Sequence, residues 1–73
     1  MNNVIVDFAQ YVQRKFGTNV EFSKAETVGQ SHCPTVYITM YCPYGEYKGQ
    51  GSNQKEAKKH AVEQCIADKG IRL

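Results

Sequence analysis

Gly49-Gln50-Gly51-Ser52-Asn53-Gln54-Lys55-Glu56-Ala57-Lys58-Lys59-His60-Ala61 joins two glycines, a helix start signal and three lysines in the opening turns of one helix. Asn53 with Glu56 three residues later is a variant of the capping box, in which either side chain can satisfy an amide that the first turn leaves unpaired. From there Ala57, Ala61 and Cys65, joined by Val62 and Ile66, repeat at helical spacing to Lys69. Gly70 stops the run, and Ile71 is placed to pack back against it. Small residues on this stripe let the helix lie close on a sheet. Gly49 and Gly51 read as backbone geometry between a strand and the helix. A helix N-terminus carries free N–H groups and a partial positive charge, so lysines added there make a site suited to phosphate.

Upstream, Val4 to Phe16 predicts another helix, because Ile5, Phe8, Ala9, Val12 and Phe16 fall on one apolar stripe. Asn2 or Asn3 can cap its start, and Gly17 is a left-handed stop. Asn3, Asp7, Gln10 and Arg14 make the opposite, polar face. Val20 to Glu26 predicts a first strand, with Val20 and Phe22 on one side. Gly29 to Pro34 has the composition of a loop. Thr35 to Cys42 predicts a second strand, with Val36, Ile38 and Met40 facing one way and Tyr37, Thr39 and Tyr41 the other. Pro43-Tyr44-Gly45 is a tight turn, which makes Glu46 to Lys48 a short antiparallel third strand. The order is α-β-β-β-α. An α+β fold follows, with both helices on one face of a three-stranded antiparallel sheet and the other face open to water. Tyr37, Tyr41, Tyr44 and Tyr47 then read as cross-strand packing on the solvent face, and Lys48 and His60 as ordinary surface.

At 73 residues the chain has room for a single domain, with a core of about residues 4–69 that can belong to a longer protein. Its core is too small to spare residues for a deep catalytic pocket. The net charge of +2 is mild, so the distribution carries the information. Lys55, Lys58 and Lys59 are concentrated, whereas the seven acids are spread along the chain. Cys33, Cys42 and Cys65 form no C-x-x-C pair, and no metal-ligand spacing, paired carboxylates or nucleophile–base arrangement is present. The chain is therefore not expected to be an enzyme or to need a cofactor or metal. No signal peptide and no membrane-spanning run is present. Thiols kept reduced are the default in the cytoplasm or nucleus, where such a protein is expected.

Three segments together resemble the double-stranded-RNA-binding domain family, over nearly the whole chain from Val4 to about Ile66. The family's G-x-G-x-S-K-K-x-A-K-x-x-A-A is matched by Gly49, Gly51, Lys55, Ala57, Lys58 and Ala61, with Asn53 for the capping serine and Gln54 for the first lysine; Lys59 adds a charge nearby. The family's loop G-P-x-H-x-P-x-F is matched at Gly29, His32 and Pro34, with Gln30 and Val36 departing from it. In the first helix, alignment on Gly17 sets Gln10 and Tyr11 at the family's polar pair; Gln10 fits, and Tyr11 lacks a glutamate's acceptor chemistry. Phe22 stands at the family's aromatic in the first strand.

The resemblance implies a binder of duplex RNA that reads shape. A-form RNA hides its bases in a narrow major groove and displays 2′-hydroxyls in a shallow minor groove; domains of this kind span about 16 base pairs. The implied contacts are Lys55, Lys58 and Lys59, assisted by Gln54, on the phosphates, His32 in one minor groove, and Gln10 with Asn3, and with Asp7 or Arg14, in the other. Lys58 lies at the edge of the apolar stripe, so it reaches RNA only if the helix start overhangs the sheet. Two alternatives share the fold: a protein-interaction or homodimerisation module with weak RNA binding, favoured by Gln54 and Tyr11, and a viral suppressor of RNA silencing that sequesters duplex. The domain can also serve as the RNA-targeting module of a larger enzyme.

Overall fold

Asn3 is the residue that starts the first helix. In the computed structural model, which describes residues 3–29 and 34–73, its Oδ1 accepts from the amides of Ile5 (3.0 Å) and Val6 (3.4 Å). The helix, α1 (Val4–Phe16), buries Phe8 and Val12 and ends at Gly17, whose left-handed backbone (φ +68°) lets its N–H return to the Gln13 carbonyl. Four strands follow: β1 (Glu21–Phe22), β2 (Glu26–Val28), β3 (Thr35–Cys42) and β4 (Gly45–Gly51). The last element is α2 (Gln54–Lys69), closed by Gly70 (φ +63°), after which Ile71 donates to the Ile66 carbonyl and packs on the core. None of these helices is long and apolar enough to cross a membrane.

All strand pairs are antiparallel, and β3 is central. Met40 faces Phe22 on one edge and Tyr47 on the other, while Tyr37 faces Glu26 and Gln50. Hence β1 and β2 share one edge of β3, and β4 takes the other. The four strands occupy three positions, which is the α-β-β-β-α arrangement expected.

The expected strand from Val20 to Glu26 is interrupted. Phe22 pairs with Met40 and Glu26 with Tyr37, so Ser23, Lys24 and Ala25 stand opposite only Ile38 and Thr39. That surplus residue is a β-bulge. Ser23 holds it: its N–H donates to the Thr39 carbonyl (2.8 Å), and its hydroxyl oxygen accepts from the Thr39 N–H (2.9 Å). A serine side chain here replaces a ladder carbonyl, a local competition that an alternation pattern does not reveal.

β4 is longer than the expected Glu46 to Lys48, because Gly49-Gln50-Gly51 continue the ladder to Val36. The two glycines are strand residues rather than a connecting loop, and neither needs an unusual backbone. Their reason is steric. A Cβ at Gly49 would land on the Ala57 carbonyl and the Ala61 amide, and one at Gly51 would lie 2.6 Å from Glu56 Cβ. Glycine inside a strand marks a place where another backbone comes close. Here α2 rests directly on β4.

Val36, Ile38 and Met40 face the helices and are buried, together with Phe8, Val12, Ala57, Ala61, Val62 and Cys65. Phe22 packs against both ends of this core. Tyr37 and Tyr41 point outward and are 42% exposed each, so the far side of the sheet is uncovered. Tyr44 and Tyr47 depart from the expected solvent face. Tyr47 faces Met40 across the ladder and donates to Asp68 of α2 at 2.6 Å. Tyr44 meets Phe16 edge-on, with ring centres 5.2 Å apart, and its hydroxyl lies 3.1 Å from that of Tyr11.

Candidate nucleic-acid interface

The start of α2 is anchored before its lysines begin. Asn53 Oδ1 accepts from the Glu56 amide at 2.9 Å, and the Glu56 carboxylate reaches back to the Ser52 N–H and hydroxyl. These bonds to Ser52 hold the Glu56 carboxyl below the ordinary carboxylate range, and the charge of Lys59 adds to the effect. The reciprocal caps fix the direction of the first turn. Asn53→Ala is expected to remove about 1 kcal/mol and to lower the melting temperature by roughly 4–8 °C, read by thermal circular dichroism.

Gln54, Lys55 and Lys59 are exposed on this turn. Lys58 is half-buried. It shares a helical angle with Val62 and Cys65, four and seven residues on, both fully buried. Lys58 differs from them in staying partly accessible. Its ammonium ends 5.3 Å from the centre of the Phe22 ring on β1, a geometry that favours the cation. Lys58 thus keeps part of its surface accessible, with its ammonium over β1.

On α1, Asp7, Gln10 and Arg14 are exposed along one outward ridge with Asn3. Asn3 is committed as the helix cap through its oxygen, which leaves only its amide hydrogens for other partners. Tyr11 does not share this ridge. It stacks near Phe8, with ring centres 6.3 Å apart, and its hydroxyl meets Tyr44 and accepts from Lys15 Nζ at 3.2 Å. The bonds from Tyr44 and from Lys15 lower the Tyr11 phenol, and Tyr11 in turn raises Lys15. Tyr11 thus sits on the side of α1 toward Tyr44 and is partly buried. Lys15 escaped notice in the sequence; its spacing of four from Tyr11 is the available signal.

His32 lies outside the described residues, as do Gln30, Ser31 and Cys33; the flanking Gly29 and Pro34 are exposed. His60 is not idle surface. Its Nδ1 accepts from the Gln50 N–H at 3.0 Å, which ties α2 to the outer edge of β4. Among the described residues no three His, Cys, Asp or Glu side chains gather as a metal site. Cys65 is fully buried, and burial, followed by the neighbouring Cys42, pushes its thiol up to about 12. That shift disfavours the reactive thiolate.

Chemically, the arrangement offers three ammonium groups around one capped helix N-terminus, beside a separate ridge of amide and guanidinium groups on α1. No model of a known protein family matches this chain, and no curated protein sequence matches it.

Proposed function

We propose that this chain is a double-stranded-RNA-binding domain that recognises duplex shape largely without regard to sequence. The observation that carries the reading is the grouping of Lys55, Lys58 and Lys59 in the first turns of α2, with Lys55 and Lys59 exposed and Lys58 half-buried over Phe22. Ammonium groups around a helix N-terminus complement phosphate. Gln54 flanks them, and Gln10, with the Asn3 amide, supplies groups that match 2′-hydroxyls and minor-groove edges. His32, between the exposed Gly29 and Pro34, is assigned to the second minor groove. The reading suits an intracellular protein of the cytoplasm or nucleus, either as a targeting module of a larger enzyme or as a duplex-sequestering suppressor of silencing.

A gel shift with a 20-base-pair RNA duplex and a DNA duplex of the same sequence tests it. The RNA is expected to bind at 50 mM salt and to lose affinity at least roughly 40-fold at 200 mM, counting only the three α2 phosphate contacts at a slope of about 0.9 each. The DNA is expected to bind more weakly, because it lacks the 2′-hydroxyls. Equal affinity for both duplexes would defeat the reading. The uncovered face around Tyr37 and Tyr41 supports a second reading, a protein-interaction or homodimerisation module. No RNA shift at low salt, together with a dimer in solution, would favour that one.

A further inference from the structure

We infer that Arg14, Lys15 and Arg72 form a second phosphate-binding cluster, which grips the backbone bordering the groove that Gln10 enters. The inference rests on the RNA reading above. Gly70 and Ile71 reverse the chain after α2, and Ile71 seats in the core. Arg72 is thereby carried to the side of α1, where a cleft of about 700 Å³ is lined by Arg14, Lys15 and Arg72 together with Asp7, Gln10 and Tyr11. Among the cleft's side chains, three cations thus meet one acid. Among the described residues none of the three is ion-paired; the single salt bridge joins Lys69 and Asp68.

The cleft is partly organised in advance. Lys15 donates to the Tyr11 hydroxyl and lies 5.5 Å from the centre of its ring, so its ammonium is held at the cleft wall. The two guanidinium groups present the planar fork that matches phosphate oxygens. Six of the chain's nine cationic side chains fall into two clusters, this one and the α2 start. Gln10 lines the cleft itself, and Arg14 is one helical turn from it on the same ridge. A helix that brings Gln10 to a minor groove brings Arg14 toward the sugar–phosphate strand at its margin. This continuity favours the duplex over an acidic peptide as the occupant.

The test compares the slope of log affinity against log salt for a 20-base-pair RNA duplex. The wild type, Arg14→Ala with Arg72→Ala, Arg14→Lys with Arg72→Lys, and Lys55→Ala with Lys58→Ala are measured in parallel. The arginine-to-alanine pair is expected to flatten the slope by about 2 with an unchanged melting temperature, and the lysine pair to recover most of it. If the helix variant loses affinity while the arginine-to-alanine pair binds like the wild type, the second cluster is wrong and the RNA reading stands. If a glutamate-rich peptide then perturbs the Arg14 and Arg72 amides in NMR spectra, the cleft belongs to a protein partner. A wild type that binds no duplex at 50 mM salt overturns both.

Discussion

Gly49→Ala is expected to destabilise the domain markedly. The added methyl has nowhere to go, because the atoms in its path are the Ala57 carbonyl and the Ala61 amide of α2. Those are backbone atoms inside a helix and cannot rotate aside as a side chain would. Relief requires lifting α2 off β4, which opens the contacts that bury Ala57, Ala61 and Val62. Overpacking costs about 1–3 kcal/mol and occasionally more. A domain of this length has roughly 4–11 kcal/mol in total. The sign makes the test sharp. A glycine-to-alanine change at an unobstructed site stabilises a protein by about 0.4–1 kcal/mol, by restricting the unfolded chain. Urea denaturation is the measurement, and a midpoint at or above that of the wild type would contradict the close approach of helix and strand. Gly51→Ala is expected to cost less, since its nearest obstacle is the Glu56 Cβ, close to the helix end.

Lys55→Ala combined with Lys58→Ala is expected to abolish duplex-RNA binding at physiological salt while the fold survives. A hydrogen bond to a charged group is worth about 1.5–3 kcal/mol, so losing two weakens binding by two orders of magnitude or more. Lys55 is exposed, and its removal leaves the core intact. Lys58 gives up its place over Phe22, a contact worth about 0.5–1 kcal/mol at a partly exposed site. That is far less than the stability of the domain. Isothermal titration with a 20-base-pair duplex, paired with a thermal melt of the same sample, separates lost binding from lost folding. A folded double variant that binds as the wild type does would remove these lysines from the interface.

The elements themselves were plain in the residue pattern because each has a local cause. The stripe from Ile5 to Phe16, the alternation from Thr35 to Cys42 and the Asn53–Glu56 cap each act within a few residues of themselves. The candidate lysines were legible for the same reason, as charges bunched at a helix start. Less legible were features whose cause lies far along the chain. Tyr44 and Tyr47 read as surface from composition, yet their hydroxyls meet Tyr11 on α1 and Asp68 on α2. The bulge at Ser23 depends on Thr39, sixteen residues later.

The sequence by itself determined the order of helices and strands, both cap signals, the inward side of the central strand and the charge at the start of α2. Periodicity and capping are properties of neighbouring residues, which need no partner from elsewhere. Only the tertiary structure decided that Gly49 and Gly51 exist to admit a helix backbone, that Lys58 settles over Phe22 of β1, and that Arg72 shares a cleft with Arg14. These depend on which surfaces meet and where they stop, and close packing settles that between segments distant in the chain.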